Sequence, residues 1–170
     1  MIVFRPAEAR DLPDIMRLIH EAQAFMRGFG IDQWQDGYPG EDQLLRDIEI
    51  GQLFVYADGN AIAAVAALSL LPEPAYDDLE GEWLQSGAYL TVHRMALDDA
   101  HRGAGLAGQM LDEAVRRARA NGCASVRVDT HRGNKAMRRF LEKNGFAYCG
   151  LVRYVVRVGD PLRVAYEKLI

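Results

Sequence analysis

The stretch HRGAGLAG, residues 101–108, sets Gly103, Gly105 and Gly108 in the spacing G-x-G-x-x-G. Consecutive small residues let a backbone approach an anion closely. Amides at a helix start point outward, with the positive end of the helix dipole behind them. Phosphate binding is the chemistry this spacing serves. Upstream of Arg102 lies His93. An imidazole is the side chain that changes charge between pH 5 and 8, which suits a general base.

The glycine spacing also matches the fingerprint of a dinucleotide loop, and Asp129 stands about 20 residues on, where a ribose ligand would sit. Two features disagree with that reading. In a dinucleotide fold the first glycine comes straight off the strand, whereas Asp98 to Arg102 intervene here. Only one further helix and about three strands can follow Asp129, too few for the second half of a doubly wound sheet. A Walker-type loop is excluded because no Gly-Lys-Ser/Thr closes the stretch. Asp129 is better read as a polar position of the alternating strand Val126-Arg127-Val128-Asp129. An NAD(P)-binding oxidoreductase is the weakest of the alternatives.

The elements that must position these residues follow from periodicity. IVFRPA opens as a strand. RDLPDIMRLIHEAQAFMRG reads as a helix, with Asp11 as its cap, Pro13 in its first turn and Leu12, Ile15, Ile19, Ala22 and Met26 at helical spacing. EDQLLRDIEIG is a second helix after the loop FGIDQWQDGYPG. Two apolar runs around Asp58-Gly59-Asn60 predict a hairpin. The acidic loop LPEPAYDDLEGEWLQSG leads to the strand AYLTVHRMAL. A stripe from Ala107 to Ala118 makes the third helix, CASVRVDT a strand and NKAMRRFLEKNGF the fourth helix. AYCGLVRYVVRV and LRVAYEKLI close the chain as a hairpin around Gly159-Asp160-Pro161. The order β-α-α-β-β-β-α-β-α-β-β is α/β in class, mixed in the α+β sense.

At 170 residues the chain is long enough for one domain, 1–170, with its own core. Its 49% hydrophobic and 26% charged residues are ordinary for a soluble protein. A net charge of −4 supplies no general attraction to nucleic acid or to anionic membranes. No long apolar run suggests a membrane span, and the N-terminus lacks the pattern of a signal peptide. Cys123 and Cys149 alone make no disulfide framework. A cytoplasmic protein without a metal is expected.

Arg102-Gly103-Ala104-Gly105-Leu106-Ala107 resembles the Arg/Gln-x-x-Gly-x-Gly/Ala motif of the GNAT superfamily of acyl-CoA-dependent N-acetyltransferases. NKAMRRFLEKNGF is similar to that family's later Asn-x-x-Ala-x-x-Phe-Tyr-x-x-x-Gly-Phe segment, and FRPA near the N-terminus is also typical. The element order is the family's order, so the likeness covers essentially the whole chain. It implies a single GNAT-like domain: a central, mostly antiparallel twisted sheet of about seven strands, with four helices on both faces.

The resemblance implies acetyl-CoA as co-substrate. Backbone groups of Met95, Ala96 and Leu97 would hold its pantetheine arm, and Arg102, Gly103, Ala104, Gly105, Leu106 and Ala107 its pyrophosphate. Asn134 matches an asparagine that contacts the cofactor, and it is also well placed as an N-cap. His93 coincides with a histidine that acts as base in the arylalkylamine N-acetyltransferases. Thr91, on the same face by strand alternation, would hold a water or substrate. The acceptor, a small-molecule, amino-acid or peptide amine, would enter near Trp34 and Tyr38. It would also meet the acidic loop of Tyr76, Asp77, Asp78, Glu80, Glu82 and Trp83. The bland reading of that loop is solvated acids with tryptophans pinning it to the core. A homodimer is left open.

One departure matters. The family's Tyr, which protonates the leaving thiolate, is Leu141 here. Either water or another tyrosine serves instead, or the chain is a non-catalytic acyl-CoA-binding module.

Overall fold

The computed structural model describes all 170 residues. The strands are β1 (Ile2–Pro6), β2 (Leu53–Asp58), β3 (Ala61–Ser69), β4 (Glu80–Gly81), β5 (Tyr89–Leu97), β6 (Ser125–His131), β7 (Ala147–Arg153) and β8 (Leu162–Leu169). The helices are α1 (Leu12–Gly28), α2 (Glu41–Glu49), α3 (Leu106–Ala120) and α4 (Lys135–Lys143). One sheet runs β1-β2-β3-β5-β6-β8-β7-β4, antiparallel throughout except between β5 and β6. No helix is long and apolar enough to cross a membrane.

Each sheet face carries its own core. On one face Leu90, Val92, Val126, Val128 and Tyr166 pack beneath α3 and α4, against Leu106, Met110, Leu111, Ala114 and Leu141. On the other, Val55, Val65, Ala67 and Ala96 meet Ile15, Leu18 and Ile19 of α1 and Leu44 of α2. The helical spacing of α1 thus translates into burial of Ile15, Leu18, Ile19 and Met26. Asp11 does not cap that helix. Its carboxylate instead accepts a bidentate pair from Arg5 at 2.7 and 2.9 Å, and a third bond from the Glu8 amide. A charge-assisted fork outcompetes a single helix amide for the same oxygens.

Two further differences from the expected elements have local causes. The sheet has eight strands because Glu80–Gly81, only two residues long, adds to the edge at β7. Gly81 and Gly150 face each other there, and a Cβ on either would lie 2.0 or 2.3 Å from the opposing carbonyl oxygen. A two-residue strand without side-chain alternation gives no periodic signal. The final hairpin is also shorter than expected: β7 stops at Arg153, and past a last backbone bond from Tyr154 N–H to Pro161 O residues 155–160 leave the ladder.

The central irregularity lies in β5. Its parallel pairing with β6 runs from Tyr89↔Ser125 only to Val92↔Val128. On its other edge, His93 pairs with Ala67 and Ala96 with Val65, so β5 carries one extra residue against β3. Arg94 sits inside that bulge at φ 54°, a left-handed backbone uncommon for any residue but glycine. The bulge bends β5 away from β6, and the two strands part beyond Val92.

The neighbouring sheet is pinned by a buried charge. Glu167, fully enclosed, accepts from Arg127 Nε at 2.8 Å, Ser125 Oγ at 2.5 Å, Gln85 Nε2 at 3.1 Å and the Leu84 amide at 2.5 Å. Burial alone would raise its pKa, but the bonds from Ser125, Arg127 and Leu84 outweigh burial and hold it below the usual glutamate range. A depressed folded-state pKa gives stability that is present above the unfolded value and lost as pH falls through the folded one. Thermal unfolding of the protein should therefore show a midpoint that drops as pH falls below about 4. Glu167→Ala, which leaves the buried Arg127 without a counter-charge, should cost about 3–5 kcal/mol at neutral pH. A chemical denaturation curve measures it.

Candidate active site

Where β5 and β6 separate, a cavity of about 1050 Å³ opens. Its walls come from β5 between Val92 and Leu97, from β6 between Val128 and Thr130, and from the loop after α1. Residues 154–158, the start of α4, the inner face of α1, the first turn of α2 and Arg163 of β8 also line it. Met95, Ala96 and Leu97 all line it, as do Arg102 and Asn134.

Val92↔Val128 is the last pair of the parallel ladder, so His93 and Asp129 occupy the first unpaired register on the two strands. Side-chain alternation sends Val92 and Val128 into the core under α3 and α4, and sends His93 and Asp129 to the opposite face. Both line the cavity. His93 Nε2 lies 3.2 Å from Glu73 Oε2. Glu73 is itself held: its amide donates to Tyr89 Oη at 3.0 Å, and its Oε1 accepts from the Ala75 amide at 3.2 Å. Burial would raise the Glu73 pKa, but bonds to His93 and to Ala75 N–H outweigh this and keep it below the ordinary glutamate value. An ionised Glu73 draws the imidazole proton to Nε2 and leaves Nδ1 as the proton acceptor.

Asp129 Oδ2 accepts from two phenols, Tyr76 Oη at 2.7 Å and Tyr154 Oη at 2.8 Å. Burial first, and the Asp129 charge second, push both phenols upward, so both stay protonated as donors. The short turn Glu73–Tyr76 therefore ties down both strands at their point of divergence, through Glu73 to β5 and Tyr76 to β6.

Behind the bulge, Arg94 turns the other way, toward α2. Its Nε lies 2.7 Å from Asp47 Oδ2, and Nη2 donates to Asp47 Oδ1 at 3.0 Å. Asp47 is fully buried and also accepts from Gln43 at 3.0 Å and Gln52 at 2.8 Å. Arg94 Nη1 donates to Tyr38 Oη, so the same guanidinium anchors the loop that carries Trp34. Trp34 and Tyr38 line the cavity.

The glycine loop supplies free donors. Gly103 and Gly105 take φ values of 86° and 76°, and Gly105 is the N-cap of α3. The Ala104 amide donates to His101 O, whereas the amides of Gly103, Gly105, Leu106, Ala107 and Gly108 have no partner in the chain. That is the cradle an anion needs at a helix N-terminus. Arg102 extends outward, paired with Asp99 and stacked over Phe25. Asn134 caps α4, its Oδ1 accepting from the Met137 amide at 3.1 Å, which leaves its Nδ2 free on the cavity wall.

Thr91 and Leu141 lie elsewhere. Thr91 is fully buried between Ser69 and Arg127 in the sheet and is not on the cavity wall. Leu141 is fully buried in the core beneath α4. Glu73, Arg94, Asp129 and Tyr154 are site residues that sequence reasoning did not single out as functional.

The GNAT acetyltransferase family model matches residues 15–146. The chain belongs to this family, and it is an acyltransferase of the GNAT type. A GNAT-family acetyltransferase from Streptococcus agalactiae 2603 is 36% identical, with 99% of this chain and 95% of that one aligned at a TM-score of 0.86. The PaiA N-acetyltransferase of Thermoplasma acidophilum was solved in complex with coenzyme A. It shares 17% identity over 100% of this chain and 99% of its own, with a TM-score of 0.71. The ribosomal-protein-S18-alanine N-acetyltransferase of Escherichia coli aligns at a TM-score of 0.67 with 16% identity, over 100% of this chain and 94% of that one. The last two likenesses are of fold alone. No curated protein matches the chain.

Asp47→Ala would strand the Arg94 guanidinium in the interior and should destabilise the protein by about 3–5 kcal/mol. Urea unfolding of the two forms tests this. An unchanged midpoint would show that the bulge needs no anchor.

Proposed function

We propose that the protein transfers the acetyl group of acetyl-CoA to a primary amine by direct attack in a ternary complex. The observation that carries this reading is the His93–Glu73 pair, set at the first register where β5 and β6 part and on the wall of the same cavity as Met95 to Leu97. The pyrophosphate of the co-substrate is assigned to the unpartnered amides of Gly103 and Gly105 to Gly108, with Asn134 Nδ2 and Arg102 as further contacts. The pantetheine arm is assigned to the opened edge of β5. Trp34 and Tyr38 flank the acceptor. The buried position of Thr91 favours a structural role over substrate contact.

His93 Nδ1 accepts a proton from the ammonium form of the acceptor. The freed amine attacks the thioester carbonyl and a C–N bond forms. The C–S bond breaks, and the surplus proton on the acylated nitrogen passes to the departing thiolate, directly or through water, to give the amide and the free thiol. Thiols titrate near about 8.5, so the thiolate is a fair leaving group without a dedicated acid. Leu141 in the family's tyrosine position is compatible with turnover on that ground. The same leucine favours a second reading, an acyl-CoA-binding module without catalysis.

An amine panel with acetyl-CoA and detection of released thiol separates the two: turnover with any amine supports transfer, and coenzyme binding without thiol release supports the module. His93→Ala should lower kcat by about 10²–10⁴-fold and flatten the fall in rate toward acid pH. Glu73→Gln should lower activity less than His93→Ala does, because the amide keeps a hydrogen-bond partner beside the imidazole without the carboxylate that orients it. Gly105→Val, forced into a left-handed backbone costing about 1–2 kcal/mol, should weaken acetyl-CoA binding about tenfold in calorimetry.

A further inference from the structure

On the acetyl-transfer reading above, we propose that the acceptor carries a carboxylate as well as its amine, as a free amino acid does, and that Arg163 receives that carboxylate. The side chains of Arg94 and Arg127, 8% and 5% exposed, each lie against a buried carboxylate, Asp47 and Glu167. Arg163 is as deeply enclosed, 6% exposed, and forms no ion pair. Its Nη1 donates to two backbone carbonyls, Asp160 O at 2.6 Å and Leu162 O at 2.8 Å. Nε and Nη2 have no partner in the chain. These two atoms make up one edge of the planar fork, the edge that grips a carboxylate with two parallel bonds.

The acids of the surrounding loops are already engaged. Asp160 Oδ2 lies 2.6 Å from Arg132 Nε, and its Oδ1 accepts from the Leu162 amide at 2.9 Å. Asp32 Oδ1 lies 2.9 Å from His131 Nε2. Buried cations are otherwise paired, because removing a charge from water without a counter-charge is expensive. Arg163 lines the cavity that holds His93 and Asp129, so an anion can reach it.

The register fixes its distance from the reacting end. Asp129 pairs with Ala165 and His131 with Arg163 in the antiparallel β6–β8 ladder. Arg163 is therefore the diagonal neighbour of Asp129 on the same face, with Cβ atoms about 7–8 Å apart. Asp129 meets only two neutral phenols, so its negative charge is hydrogen-bonded but not neutralised. One cavity thus presents an anion beside the base and an uncommitted guanidinium one diagonal step away. A small molecule that carries an ammonium and a carboxylate close together, as an amino acid does, offers a partner to each, with its amine at the end of the parted strands.

Matched pairs test this: L-amino acids against the amines left when their carboxyl group is removed, each assayed with acetyl-CoA by thiol release. Wild type should favour the carboxylate-bearing member by about ten- to a hundredfold in kcat/KM. Arg163→Gln should erase that preference through KM while leaving kcat within a few-fold, and Arg163→Lys should restore part of it. Equal use of both members, or an equal loss on both in Arg163→Gln, would overturn the assignment. Calorimetric titration of L-amino acids in the presence of coenzyme A decides the point without turnover, since binding should be lost in Arg163→Gln while coenzyme binding persists. Failure of every amine to release thiol would instead remove the transfer reading, and that titration would still judge Arg163.

Discussion

The site depends on a break in a hydrogen-bond ladder. Parallel strands β5 and β6 are paired for four residues and then separate, because one extra residue in β5 turns its edge away. The break does three things at once. It opens the cavity, it frees the β5 edge, and it sets His93 and Asp129 side by side at the top of the ladder. A left-handed arginine backbone is an unfavourable conformation, and structure elsewhere must hold it. The buried Asp47, whose Oδ1 also accepts from two glutamines, does so from α2. The second helix, whose first turn also lines the cavity, thus holds the reacting strand through Asp47.

Buried charge is used in two ways in this molecule. Asp11, Asp47 and Glu167 each carry an arginine partner and at least one further amide or hydroxyl donor, and each fastens a connection to the sheet. Such pairs contribute little if they are merely added, but removing one partner is severe. Around the cavity the pattern changes. Asp129 has neutral donors only, Glu73 faces a titratable imidazole, and Arg163 has carbonyls only. Charges left incompletely matched in this way cluster where ligands bind.

Much of the frame was legible from residue order alone. The period of α1, the Asp58-Gly59-Asn60 hairpin and the glycine start of α3 each state their structure locally, within a few residues. The functional loop announced itself because its chemistry is backbone chemistry, carried by consecutive glycines. The carboxylates and phenols of the cavity gave no such signal. Tyr76 meets Asp129 across 53 residues of sequence and Tyr154 meets it across 25. Tyr154 reads as a strand residue because Tyr-Val-Val-Arg-Val alternates, yet β7 ends just before it. The acidic loop was legible for Asp77, Asp78, Glu80 and Glu82, which are exposed, but not for Glu73 at its start, which the Tyr89 hydroxyl draws inward. Leu141 was legible as a departure from the family pattern, while its place in the core beneath α4 depends on packing.

The turn from Glu73 to Tyr76 has a consequence for how such a site can be inherited. The strand β5 carries the imidazole, but which ring nitrogen bears its proton is decided by a residue outside that strand. The same short turn also sets the orientation of the carboxylate across the gap. Grafting β5 and its glycine loop onto another scaffold would bring the histidine and the phosphate cradle but not their proton inventory. The smallest portable unit of this chemistry is therefore the strand β5 together with the turn Glu73–Tyr76, which lies in the connection between β3 and β4.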